Sequence, residues 1–145
     1  MASRQQTMLS RLHRVRTLQL NLTMADEARA QERVASEHQL SQRIGQLIDA
    51  VTPTPAVTAS AASLMANAHF RNRLLESADA ATARIQVAEH RAAQAGEQTK
   101  AAKRDQTAVE KLMDRARLAA IRAEMRALED MPASGGARRN RHDPC

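Results

Sequence analysis

The spacing of apolar residues between positions 56 and 131 predicts one long helix that carries a coiled-coil seam. From Leu74 onward, alternating steps of four and three residues select a set without a charged member, in which only Thr99 and Gln106 are polar. A period of 3.5 residues kept over more than seven heptads is typical of a coiled coil. The predicted seam consists of Leu74, Ala78, Ala81, Ile85, Ala88, Ala92, Ala95, Thr99, Ala102, Gln106, Val109, Met113, Ala116, Ala120, Ala123 and Ala127.

Residues 1–51 predict a second helix, with two apolar patches separated by the mostly polar stretch 26–39. The first patch is Met8, Leu12, Val15, Leu18 and Leu22, and the second is Leu40, Ile44, Leu47 and Val51. The two patches do not share one strict heptad register, so we expect a stutter between them.

Prolines divide the chain into these two segments. A proline inside a helix costs ~3 kcal/mol, so the sequence Thr-Pro-Thr-Pro at 52–55 predicts a turn and Pro132 predicts the end of the second helix. A connection this short favours antiparallel neighbours. The predicted fold is all-α, an antiparallel two-helix coiled-coil hairpin (1–51 and 56–131) in which Thr54 caps the second helix. Residues 132–145 have no apolar period and predict a disordered basic tail.

The unequal helix lengths predict an overhang. With the turn centred between positions 54 and 55, residue i lies near residue 109 − i, so the first helix ends opposite about residue 108 and leaves 109–131 unpaired. This segment carries an apolar stripe at steps of three and four residues: Leu118, Ile121, Met125 and Leu128. Uncovered apolar stripes mark interaction sites. We expect insertion into a different protein; the alternatives are that the segment folds back or that two copies pair there.

Charge and composition narrow the class of protein. The 145 residues carry 22 basic and 16 acidic side chains, a net charge of +6, and one aromatic ring, which argues against a sandwich, barrel or doubly wound sheet. Residues 1–25 contribute +4 and residues 132–145 contribute +2, whereas 26–131 hold 15 basic and 15 acidic residues. A hairpin brings both basic segments to one end. The single Cys145 and the lack of a ~20-residue apolar run favour a cytoplasmic protein without membrane insertion. An organellar transit peptide is the alternative interpretation of the Arg-rich start.

Catalytic and cofactor chemistry is not indicated. Five scattered histidines have no partner at metal-ligand spacing, the glycines form no phosphate loop, and a two-helix coil offers no pocket for a small-molecule substrate. We therefore expect no enzyme activity, cofactor or metal. Basic ends attract phosphate, but a nucleic-acid interface without stacking aromatics is disfavoured. A nucleic-acid-associated coiled coil and a self-assembling structural rod remain the alternatives to a protein-binding stalk.

The chain resembles the FliJ/YscO family, the coiled-coil stalk proteins of flagellar and injectisome type III secretion. The resemblance covers the architecture: about 145 residues, a basic N-terminal helix, a short loop and a longer, overhanging second helix. The segment 100–115, Lys-Ala-Ala-Lys-Arg-Asp-Gln-Thr-Ala-Val-Glu-Lys-Leu-Met-Asp-Arg, is similar to the family's basic run leading into Glu-Lys-Leu.

This resemblance implies a central stalk that couples a hexameric export ATPase to the cytoplasmic domain of the membrane export gate, for flagellar or virulence protein export. Some members also bind export chaperones. The implied location is cytoplasmic and peripheral to the export apparatus. The implied ATPase-binding residues are Arg4, Arg11, Arg14, Leu118, Ile121, Arg122, Met125 and Leu128. The candidates for contact with the export gate are Leu40, Ile44, Leu47, Phe70 and Leu74, which also have an interpretation as core residues.

Overall fold

Two long helices make up the fold, as the proline pattern predicts. A computed structural model describes residues 2–51 and 60–131, in which α1 runs over Ala2–Ala50 (49 residues) and α2 over Ala61–Glu129 (69 residues). No strand occurs in these two described ranges. The all-α fold class is therefore confirmed. The predicted turn at 52–55 and the predicted tail at 132–145 lie outside the described residues.

The start of α2 differs from the prediction. We expected the helix to begin at residue 56 behind a Thr54 cap, but it begins at Ala61. Ser60 is the capping residue, because its hydroxyl oxygen accepts a hydrogen bond from the Ser63 backbone N–H at 3.3 Å. The Ser60 carbonyl accepts the Leu64 N–H at 3.1 Å and so starts the helical ladder.

The chain forms two compact units. In the unit of residues 15–106, the segments of α1 and α2 are antiparallel: Gln106 donates to Thr17 at 3.2 Å, and Arg84 donates to Glu37 at 3.1 Å. In the unit of residues 1–14 and 107–145, His13 Nε2 lies 3.1 Å from Glu110 Oε1.

The register of the pairing corrects the expected one. The positions of facing residues sum to about 123, as in 17 + 106 within one unit and 13 + 110 within the other, instead of the expected 109. The difference of 123 − 109 = 14 residues equals two heptads. A seam that repeats every seven residues keeps its pattern under such a shift, so periodicity does not discriminate between the two registers.

The α2 seam is where the spacing predicts it. Every predicted member from Leu74 to Ala120 is buried or half-buried, whereas Ala123 and Ala127 are exposed. The most buried apolar residues of the described chain, at 0–9% exposure, are Leu20, Ile44, Ala81, Ala88 and Val109. The apolar contact between the helices therefore depends on small side chains and a few large ones.

The α1 seam contradicts the prediction of two patches joined by a stutter. Its buried and half-buried positions include one unbroken series of four- and three-residue steps: Leu9, His13, Arg16, Leu20, Thr23, Glu27, Ala30, Val34, Glu37, Ser41, Ile44, Ile48 and Val51. The expected patch residues Met8, Leu12, Val15, Leu18 and Leu22 are instead exposed.

Charged residues can occupy positions in the α1 seam because their long side chains reach its edge. The Arg16 guanidinium donates to the Asp105 carboxylate at 3.0 Å, and the Glu37 carboxylate accepts from Arg84. Neither charge is taken fully out of water, so the large desolvation cost of a buried ion is avoided. No polar side chain in the described ranges is fully buried.

The overhang is shorter than predicted. Val109 is 5% exposed and Glu110 contacts His13, so the first part of 109–131 packs against α1. The half-buried positions of α2 end at Ala120, and residues 121–131 are all exposed. At the other end of α2, residues 61–73 are also exposed. The shift in register thus shortens the uncovered segment at the C-terminal end of α2.

Candidate protein-binding site

The predicted apolar stripe on α2 lies on the outer face of the helix. Leu118, Ile121, Met125 and Leu128 are 52–69% exposed and follow each other at steps of three and four residues. Along the sequence they alternate with residues of the seam, of which Ala116 and Ala120 are the last that are half-buried. We call these four residues the outer stripe. Because it points away from the seam, α1 does not cover it.

Basic side chains flank the outer stripe. Arg115, Arg117, Arg122 and Arg126 lie between or beside its members, and all four are exposed. Arg117 is 3.9 Å from Asp114, one turn earlier on the same helix. Glu124 and Glu129 lie beside the stripe as well and are also exposed. The stripe therefore offers leucine, isoleucine and methionine side chains within a border of both signs, in which four arginines outnumber two glutamates, and this border can pair with acidic groups around an apolar partner surface.

The three N-terminal arginines are exposed in the same unit. Arg4, Arg11 and Arg14 occupy the face of α1 that points away from the seam. Since α1 and α2 face each other through the seam, these arginines lie on the opposite side of the pair from the outer stripe. The structure thus places all eight candidate ATPase-binding residues on the surface of one unit, but it does not gather them into one patch.

The helix pair is open at the seam in this unit. A cavity of about 360 Å³ is lined by Leu9, Met113, Ala116 and polar side chains of α1. Small residues on α2 and polar residues on the first turns of α1 leave space between the helices. This unit therefore has a thin core of its own.

The candidate gate-binding residues divide between the core and the surface. Ile44 is 7% exposed and Leu74 is half-buried, so both belong to the seam. Leu40, Leu47 and Phe70 are exposed. When the seam residues are counted as heptad positions a and d, these three residues all fall at position g. In an antiparallel pair the g positions of both helices line the same side, so the three residues lie on one flank of the unit of residues 15–106. Ile44 and Leu74 are thus core residues, whereas Leu40, Leu47 and Phe70 are surface residues.

The ion pair between Glu97 and Lys100 shifts the pKa of both partners. Lys100 Nζ donates to Glu97 Oε1 at 2.7 Å on the exposed face of α2. This hydrogen bond and the attraction of the two charges lower the pKa of Glu97 below 4.5 and raise the pKa of Lys100 above 10.5. Spacing of three residues within one helix explains the contact.

Neither a metal cluster nor a membrane span is found in the described ranges. No three His, Cys, Asp or Glu side chains there come close enough to hold a metal ion. Neither α1 nor α2 contains a stretch that is long and apolar enough to cross a bilayer.

No protein family, no curated protein and no solved structure matches this chain.

Proposed function

We propose that the protein is the stalk of a type III protein-export ATPase, with the outer stripe of α2 as its ATPase-binding surface. The single observation that carries the proposal is this stripe of four large apolar side chains, uncovered by α1 and bordered by arginines. Support also comes from the two-helix fold and from the resemblance of the sequence to the FliJ/YscO stalks. A large apolar surface with charged borders is costly for a protein that works alone.

The proposed mechanism uses the stripe as an anchor. Leu118, Ile121 and Met125 enter the central pore of the hexamer and bury apolar area, while Arg122 and its neighbours meet acidic groups on the pore wall. Burial at ~25 cal/mol per Å² supplies affinity, and the arginines raise the association rate and set orientation. The exposed flank residues Leu40, Leu47 and Phe70 then contact the export gate. In this proposal the protein is cytoplasmic and peripheral to the membrane-embedded apparatus.

The test is a titration of the hexameric export ATPase encoded in the same genome. ATP hydrolysis by the hexamer is measured against the concentration of added stalk, and binding is measured by pull-down. We expect stimulation by the wild type and loss of both signals in a variant with Leu118→Ser, Ile121→Ser and Met125→Ser.

A matched control distinguishes binding through this stripe from non-specific binding through any exposed apolar residues. Val15, Leu18 and Leu22 have the same spacing and similar exposure on α1, in the other unit. Their replacement by serine leaves ATPase binding unchanged under the proposal. If the control variant loses binding as severely as the stripe variant, or if neither variant differs from the wild type, the outer stripe is not the binding surface.

Self-assembly is the competing explanation of the same stripe. Sedimentation equilibrium of the wild type and of the stripe variant decides between the two. Under the proposal the wild type is monomeric in the absence of the ATPase; a dimer that dissociates in the stripe variant would contradict it.

A further inference from the structure

A groove between the helices in the unit of residues 15–106 collects three arginines. Arg33 from α1 and Arg84 and Arg91 from α2 line a groove of about 240 Å³, which we call the arginine groove. Ala83, Val87 and Ala88 also line it. None of these residues belongs to the outer stripe, and the groove is independent of the proposed ATPase contact.

The charge of the groove is largely uncompensated. Its one acidic residue, Glu37, accepts from Arg84 Nε at 3.1 Å, and its side chain is 18% exposed. No hydrogen bond or ion pair to any other described residue is found for Arg33 or Arg91. Three guanidinium groups and one carboxylate leave a net charge of +2 at the groove. Two planar, bidentate donors are therefore available to an acidic ligand.

The floor of the groove is apolar. Val87 is 51% exposed although it is a large aliphatic residue, and Ala83 is exposed beside it. Ala88, also in the lining, is a buried seam residue at 6% exposure. Leu40 lies on the same flank and is also exposed. A ligand that fits this surface must place apolar side chains on the floor and carboxylates at the guanidinium groups.

We infer that the arginine groove binds an acidic amphipathic helix of another protein. Such a helix presents leucine-type side chains along one stripe and glutamate or aspartate beside them, which matches an apolar floor between cationic walls. The complementarity of charge favours this occupant over a second copy of the chain, because a two-fold pairing of the groove with itself would bring arginines against arginines. The chain's own residues 132–145 carry three arginines and one aspartate, so their charge has the wrong sign as well.

The same features disfavour nucleic acid and lipid. Nucleic acid has no aliphatic groups to cover Val87, and the groove has no aromatic side chain for base stacking. A bilayer surface is broad, whereas the three arginines line one groove of about 240 Å³. These ligands are therefore competitors in the test.

The experiment uses the full-length chain and a labelled synthetic peptide. In the peptide, leucines recur at steps of three and four residues and glutamates fill the remaining positions. Fluorescence anisotropy gives its Kd. We expect binding that weakens with added salt and that falls about tenfold or more in the double variant Arg33→Glu/Arg91→Glu, because two charge-assisted contacts become repulsions. Val87→Asn is expected to weaken binding without changing the net charge.

The matched control is Arg71→Glu/Arg104→Glu, which makes the same change of charge in the same unit outside the groove. It should leave the Kd within about twofold of the wild type. Circular dichroism checks that every variant keeps its helicity. The inference is overturned if both double variants weaken binding equally, or if a peptide of glutamate and alanine without leucine binds as tightly. It is also overturned if duplex DNA or anionic phosphatidylglycerol vesicles bind with the same dependence on Arg33 and Arg91, or if sedimentation shows that Val87→Asn dissociates a dimer.

Discussion

Replacing Ile44 with alanine should destabilise the protein much more than the same change at Leu40. The two residues are one helical turn apart on α1, and both belong to the apolar patch that the sequence singles out. Ile44 is 7% exposed in the seam, whereas Leu40 is 42% exposed on the flank. The pair therefore tests which face of α1 packs against α2.

The expected magnitude follows from burial. Large-to-small changes of this kind in a core cost ~2–5 kcal/mol, the spread reflecting how well the site collapses. Ile44 packs against only one neighbouring helix, and that helix can move closer to fill the space. We therefore expect a loss at the low end of this range, about 2 kcal/mol. Leu40 loses less contact area, and alanine has a higher helix propensity than leucine, so Leu40→Ala should cost about 0.5 kcal/mol or less.

The assay is urea denaturation followed by far-UV circular dichroism, with the free energy of unfolding extrapolated to water. Both variants should keep the wild-type dependence on urea, which shows that the same surface is exposed on unfolding. Equal losses for the two variants, or a larger loss for Leu40→Ala, would refute the placement of Ile44 in the seam and Leu40 outside it.

Three further predictions follow from the seam and the helix surfaces. Arg16→Leu should raise the free energy of unfolding by about 1 kcal/mol in urea denaturation, because a seam position gains an apolar side chain and the lost ion pair with Asp105 is partly exposed and worth ~0–1 kcal/mol. Gly45→Ala should raise it by about 0.5–1 kcal/mol, since no other heavy atom lies within 4 Å of an added Cβ and helical glycine is costly; a lower stability would show that the glycine is needed for close packing. Glu97→Gln should lower the pKa of Lys100 towards 10.5, because the carboxylate that stabilises the ammonium form is removed; NMR titration measures the shift. The lowered pKa of Glu97 and the raised pKa of Lys100 mean that the pair's stabilising effect is complete between pH 4.5 and pH 10.5. It declines as pH falls through the folded-state pKa of Glu97 or rises through the folded-state pKa of Lys100.

The seam of α2 is predictable from sequence because its residues are unambiguous. Alanine and large aliphatic residues recur there without a charged member, so one face alone can be buried. Prolines place the helix ends to within a few residues, although Ser60 caps α2 where Thr54 was expected. The preference of serine for this position is known, but several candidate caps stand close together in the sequence.

The register is not predictable from the same pattern. A shift of two heptads leaves every seam position of α2 in the seam, so the choice depends on contacts such as Thr17 with Gln106. A connection lengthened by several residues costs little closure entropy, which allows the pairing to depart from the tightest possible turn. The prediction of an overhang starting at residue 109 failed for this reason.

The seam of α1 was not predicted from the sequence because it contains charged residues. Arg16 and Glu37 sit at seam positions with their charged groups at the edge, whereas Met8 and Leu22 look like core and are exposed. Hydrophobicity alone therefore selects the wrong face. The exposed apolar residues of the outer stripe were recognised in sequence, but the arginine groove was not, since Arg33 and Arg91 are distant in the chain and meet only in this register.

The most direct test of the pairing is chemical cross-linking between Thr17 and Gln106. Each is replaced by cysteine in a chain with Cys145→Ser, and a short bifunctional thiol reagent is added at low protein concentration. The control pair is Thr17→Cys with Ala92→Cys, which the alternative register (i + j near 109) would bring together. The two registers displace the facing residue by about 21 Å along the helix, at ~1.5 Å per residue. Rapid intramolecular cross-linking of positions 17 and 106, but not of 17 and 92, is the result that the structure predicts. Cross-linking of 17 with 92, and not with 106, would contradict it and would remove the arginine groove as well.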